Sequence, residues 1–287
     1  MKYRKLILLS VLVLLAATPL VVLLRKDASI PADADADQKG IALPILMYHH
    51  IIKNPAKQNK YAISPEEFEA DIKYIKEQGY TSVTIRDLVD FCEKKTPLPE
   101  KPIMITFDDG HDSFRVYALP VLEKYETKAV FSVVGEFAEE YSKEGVPADV
   151  SYAYSNWEQL AALSRSPYVE LANHTFYMHK TSGRNGCAMV AGESVSQYEQ
   201  VLTEDLNLLE QHFASKLDGY QSLCFTYPFG AKSEQTLPIV QKLGFKATLG
   251  CYERLNYLTG DPKELYDLRR YNRPHNVNIA DFLAKMK

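Results

Sequence analysis

Residues 102–110 read PIMITFDDG. An almost wholly apolar run of six meets two carboxylates and a glycine. A run of that length, apolar on both faces, is the pattern of a buried parallel strand. Gly110 then gives the chain room to turn. The same kind of run recurs at PILMY (44–48), AVFSVVG (129–135), YVELAN (168–173) and LCFTYPFG (223–230). Helical spacing lies between these runs. Over Ser64–Gln78, Phe68, Ile72 and Ile75 share a face, with Ser64 as N-cap, Pro65 at the first helical position and Gly79 as the stop. Further helical patterns cover Ser196–Phe213 and Thr236–Leu243. Repeated strand–helix units predict a parallel α/β fold. About seven strand candidates favour a barrel over an open sheet. Either architecture puts function at the carboxyl ends of the strands.

The chain's 287 residues suffice for one sizeable core, and a formal charge of −4 provides no basic footprint for nucleic acid. Leu6–Leu24 carries no charge and, as a helix, would span roughly 28 Å, close to a bilayer's hydrocarbon core. Lys2, Arg4 and Lys5 precede it, so residues 1–26 are expected to form a single-pass membrane anchor with the rest exported. A cleaved signal peptide, giving a secreted protein, is the competing reading. The Ala/Asp-rich stretch 27–41 reads as a flexible linker, and 42–287 as one catalytic domain, expected to be a monomer. The four cysteines, at 92, 187, 224 and 251, have no zinc-cluster spacing. Cys92 and Cys224 read as buried apolar side chains. A Cys187–Cys251 bridge is open to an exported domain.

Three segments carry chemistry. Asp108 and Asp109 repel each other unless a cation or a shared proton relieves them, which suits one metal-binding carboxylate beside one that handles protons. The bland alternative is a solvated turn. In NHTFYMHK (173–180) His174 and His179 stand five apart, a spacing that shares a face on neither helix nor strand. They converge only if the chain bends between them at a strand's end; otherwise they are two unrelated histidines. Asp109, His174 and His179 together suit a catalytic divalent ion with open positions. Zinc is the first choice, and cobalt, nickel, iron or manganese are alternatives. Asp108 is the candidate base. In TYPFG (226–230) Pro228 fixes the chain direction, and the Phe229 and Gly230 N–H groups are candidate oxyanion donors. Two other stretches are candidates for shaping specificity: the Gly-rich 182–194, and 136–156 with Tyr141, Tyr152 and Tyr154.

In this order, these segments resemble the polysaccharide deacetylases of the NodB-homology group, carbohydrate esterase family 4. LPILMYHHI (43–51) and NWEQLAAL (156–163) add to the resemblance, which covers roughly 43–275. It implies a distorted (β/α) barrel of fewer than eight units, about seven, and removal of N-acetyl groups from a polysaccharide or peptidoglycan. It also implies Asp108 as general base, Asp109, His174 and His179 as metal ligands, and the Phe229 N–H as oxyanion donor. Tyr227, Pro228 and His49 are then expected against the substrate. Four residues separate the histidines where the family's common motif has three, which resembles the branch acting on poly-N-acetylglucosamine. Thr226 stands where the family has an arginine, leaving open what orients Asp108. The family's late L-x-x-H acid motif is absent, and His275 is the candidate acid, with a surface residue after Pro274 as the alternative. One of His49 and His50 is a candidate for lining the site. His111 and His212 read as structural. A non-haem iron oxygenase fits the residue order poorly. A wall-glycan binder that keeps the fold without catalysis is the second reading.

Overall fold

The computed structural model describes residues 40–144 and 149–286. The expected anchor, and the linker up to residue 39, lie outside the described residues. No helix among those described is long and apolar enough to cross a membrane. Regular structure begins at Ile41, one residue ahead of the expected domain start, in a strand Ile41–Leu43 that pairs antiparallel with Asn256–Leu258.

Among the described residues, eight strands form one parallel sheet. Seven are β1 (Ile45–Tyr48), β2 (Pro102–Phe107), β3 (Ala129–Val133), β4 (Val169–Asn173), β5 (Cys224–Thr226), β6 (Ala247–Leu249) and β7 (Tyr271–Asn272). Their spatial order is β6-β5-β4-β3-β2-β1-β7, and a short strand Thr81–Ser82 pairs with the start of β2. The segment leading into β7 touches both ends of this series. Leu268 bridges Leu249 of β6, while Tyr271 and Asn272 pair with Leu46 and Met47 of β1. The sheet therefore curls into the expected distorted barrel of seven main strands.

Among the described residues there are eight α-helices, seven between strands and the last after β7: α1 (Pro65–Glu77), α2 (Ile85–Lys94), α3 (Leu119–Lys124), α4 (Gly135–Glu144), α5 (Trp157–Ser164), α6 (Val195–Lys216), α7 (Thr236–Lys242) and α8 (Ile279–Ala284). The cap signals act as read. Ser64 and Glu67 form a reciprocal capping box at the start of α1. α6 runs slightly beyond its apolar pattern, again behind a capping box, Ser194 with Gln197.

Strand alternation divides the core and places the site. On β2, Ile103, Ile105 and Phe107 join the cluster shared with α1 and α5, whereas Met104 joins an inner cluster with Ile45, Val130, Ala172, Cys224 and Ala247. Above that apolar floor the inward positions turn polar. Ser132 and Thr226 exchange a hydrogen bond of 2.8 Å, and the Thr106 hydroxyl donates to Leu46 O. The next inward residue beyond Thr106 is Asp108.

Candidate active site

Adjacent carboxylates part company because the backbone turns sharply beneath them. Asp109 has φ +74° and Gly110 φ +81°, two successive left-handed residues; Asp tolerates that region better than most side chains. Asp108 stays inward and is buried. Arg270, with no solvent exposure, donates to both of its oxygens at 2.7 Å and also reaches Thr106 Oγ1 and Gly250 O. Burial pushes the Asp108 carboxyl up, but the Arg270 guanidinium outweighs it and holds the group below its usual value.

The Asp109 carboxylate faces the two histidines. Its Oδ1 lies 3.0 Å from His179 Nε2 and 3.4 Å from His174 Nε2. Burial raises the Asp109 carboxyl, yet bonding to both imidazoles holds it well below the ordinary range. His174 Nδ1–H donates to Thr226 O at 2.8 Å, which fixes the tautomer and leaves Nε2 for the site. Asp109, His174 and His179 each offer one ligand atom, all within 4.8 Å of one another. Two imidazole nitrogens and one carboxylate oxygen around a common point make a donor set that fits a divalent ion.

A cavity of about 810 Å³ opens over these groups, lined by Asp108, Asp109, His174, His179, His49 and Phe229 among others. The Phe229 ring is half exposed, its centroid 4.6 Å from that of His179. The Phe229 backbone sits at φ +57°, inside a tight turn. Gly230 N–H donates to Tyr227 O at 2.9 Å, so of the two candidate oxyanion donors only Phe229 is left for the site.

Several expected placements need correction. Tyr227 is buried and does not line the cavity: strand alternation turns it outward onto Phe225, Tyr198 and Val240, while Thr226 faces in. Pro228 is likewise buried and shapes the turn rather than a substrate surface. His275 is not in the cavity wall, because its Nδ1 is engaged by Glu67 Oε2 of α1 at 2.8 Å. His111, read as a structural turn residue, lines the site: its ring stacks between His50 (4.1 Å) and Tyr154 (4.5 Å), and its Nε2 is 3.8 Å from Asp109 Oδ2. Burial, helped by His50, pulls the His111 pKa down to about 3. Of the neighbouring pair, His50 is spent on Ser113 Oγ at 2.7 Å, whereas His49 has a buried Nδ1 with no hydrogen-bond partner among the described residues. Burial lowers the His49 pKa, and Asp108 and Asp109 oppose that shift. All four cysteines are free thiols: Cys187 is buried beneath Tyr198, and Cys251 lines the cavity.

Arg270 is the residue that reading along the chain missed. It lies in RRYNRPHN, with no apolar run or spacing to single it out. It supplies beside Asp108 the guanidinium that Thr226 cannot.

The chain matches the family described as polysaccharide deacetylase over residues 95–248. It is 27% identical over 267 residues to a Staphylococcus aureus (strain MRSA252) protein named poly-beta-1,6-N-acetyl-D-glucosamine N-deacetylase, covering 86% of this chain and 85% of that one. An Escherichia coli K12 protein of the same name is 23% identical over 219 residues; the match takes in 70% of this chain but only 32% of that relative's length. Among solved structures, the Streptococcus pyogenes deacetylase PplD superposes with a TM-score of 0.70 at 21% identity, covering 86% of this chain and 99% of that one. IcaB from Ammonifex degensii gives 0.67 at 23%, covering 82% and 93%. At such identities the superpositions speak for the fold. The sequence match extends over more than half of the chain, and the chain belongs to the polysaccharide deacetylase family.

Proposed function

We propose that this domain is a divalent-metal-dependent hydrolase that removes N-acetyl groups from a cell-surface polymer of N-acetylhexosamine, of the poly-β-1,6-N-acetylglucosamine type. The observation that carries the reading is the convergence of Asp109, His174 and His179 within 4.8 Å, on the floor of a cavity that also holds the Arg270-paired Asp108. The names of the Staphylococcus aureus and Escherichia coli relatives support the choice of polymer.

When bound, a divalent ion would polarise the acetamide carbonyl and make water a competent nucleophile at neutral pH. Asp108 is held ionised and aimed by Arg270, so it accepts the proton that water gives up. The Phe229 N–H meets the negative charge that develops on the acetyl oxygen. His49, rather than His275, serves the departing amine nitrogen: it passes on the proton that Asp108 took from water, so no net proton is drawn from a resting imidazolium. The C–N bond breaks, and acetate and a free amino sugar leave. Zinc is our first choice of ion. The uncharged stretch Leu6–Leu24 behind Lys2, Arg4 and Lys5 supports placing the domain outside a cell membrane on a single anchor.

The test is acetate release from poly-β-1,6-N-acetylglucosamine oligomers, before and after chelation and with zinc restored. Release that stops with chelator and returns with zinc is expected. Failure to release acetate from this polymer, chitooligosaccharides or peptidoglycan with zinc present would overturn the assignment.

A further inference from the structure

α6 buries Tyr198, Leu202, Leu206, Leu209 and Phe213, and Asp205 falls on the same buried face. A carboxylate in an apolar stripe is costly unless its oxygens are bonded. Among the described residues no cationic side chain pairs with it. Instead Asp205 Oδ1 accepts Phe176 N–H at 2.8 Å and Oδ2 accepts Tyr177 N–H at 2.7 Å. These are two of the four residues between His174 and His179. The bend is held elsewhere as well. Thr175, at φ +72°, donates its N–H to Asn173 Oδ1, and Asn173 Nδ2 donates to Leu206 O, next to Asp205. From the other side, Gly135 N–H donates to Thr175 O and Glu136 N–H to Phe176 O. A Cβ at Gly135 would lie 2.3 Å from the Phe176 ring, so only glycine allows that approach.

We propose that Asp205 is a positioning residue for the metal site: it clamps the bend between His174 and His179 and so sets the His179 imidazole against Asp109. The inference rests on the functional reading above, since it concerns metal affinity at that site. His174 is fixed independently, by its N–H to Val133 O at the end of β3 and by its Nδ1–H to Thr226 O. His179 follows the bend, and its place depends on two successive amides turning toward α6. Asp205→Asn keeps the shape but replaces one acceptor oxygen with a donor facing an N–H, so one amide of the pair loses its bond.

The experiment is a zinc titration of the purified full-length chain against a chromophoric chelator, for wild type, Asp205→Asn and Asp71→Asn. Asp71 is another buried carboxylate on a helix, paired instead with Arg273, so it reports general destabilisation. Zinc affinity about 10–100-fold weaker in Asp205→Asn is expected, with Asp71→Asn close to wild type even as its Tm falls. Should Asp205→Asn fail to fold, Asp205→Glu keeps the charge and displaces it by one methylene, and weaker zinc binding is expected there too. Unchanged affinity in the folded Asp205 variant, or an equal loss in Asp71→Asn, overturns the inference alone. A wild-type chain that binds no zinc overturns the functional reading and this inference with it.

Discussion

Arg270 and Asp108 stand 162 positions apart in the chain and share two hydrogen bonds of 2.7 Å, both side chains buried. The guanidinium matches the carboxylate edge as a fork, fixing its direction as well as its charge. Lysine can supply the charge but not the fork. Arg270→Lys is therefore expected to lower kcat for acetate release at least about tenfold, with KM and zinc affinity little changed. Steady-state kinetics beside a zinc titration check this, and unaltered kcat would show that Asp108 is aimed by something else.

The neighbouring carboxylates should separate cleanly by mutation. Asp108→Asn is expected to retain zinc and lose roughly 10²–10⁴-fold in kcat, the usual contribution of a positioned acid or base. Asp109→Ala is expected to lose both zinc and turnover, because its Oδ1 faces both imidazoles. Metal content by atomic emission and turnover measured on the same samples distinguish the two. Turnover surviving in Asp108→Asn would remove it from its role.

Two histidines compete for the role of acid, and the structure puts only His49 in the cavity wall. His49→Asn is expected to cut kcat by about 10²-fold or more while zinc stays bound. His275→Asn is expected to leave kcat within about twofold, at some loss of stability from its contact with Glu67. The reverse pattern in the same assay would return the role to His275.

Glu67 gives a pH-dependent stability test. Its carboxylate accepts from Ser64 N–H, Asn276 N–H and His275 Nδ1. Burial raises its pKa, but the bonds to Ser64, His275 and Asn276 outweigh that and leave it below its ordinary 4.5. A depressed folded pKa means the stabilisation is complete above the unfolded value and disappears as pH falls through the folded one. Glu67→Gln should cost about 1 kcal/mol at pH 7, and the gap from wild type should narrow as pH drops below 4.5. Urea denaturation of both chains across that window measures it, and a gap independent of pH would mean the carboxylate charge contributes nothing.

Errors in reading the site along the chain share a cause. Its place between Thr226 and Pro228 in a motif points Tyr227 at substrate, yet alternate strand residues face opposite ways and it packs under α6 and α7. His111 resembles any residue of a polar turn until the left-handed backbone at Asp109 and Gly110 brings it back over the carboxylate. His275 stands out along the chain only as its last histidine, and its bond to Glu67 holds it outside the cavity wall.

The linear order of residues determined what is local. Apolar runs ending in Asp108-Asp109-Gly110, Asn173-His174 and Thr226-Tyr227-Pro228 announced strands and put polar chemistry at their carboxyl ends, and cap residues bounded the helices between. These signals act within a few positions, through backbone sterics and hydrophobic period. Which groups face the cavity was decided by the curled sheet. The segment leading into β7 carries Arg270 to Asp108, the turn after β2 folds His111 over Asp109, and α6 lays Asp205 under the bend between the histidines. Arg270 and Asp108 are 162 residues apart and Asp205 lies 29 from Phe176, and no local preference encodes a hydrogen bond across such distances. Burial does, because each of these charged groups leaves water only where the barrel brings its partner.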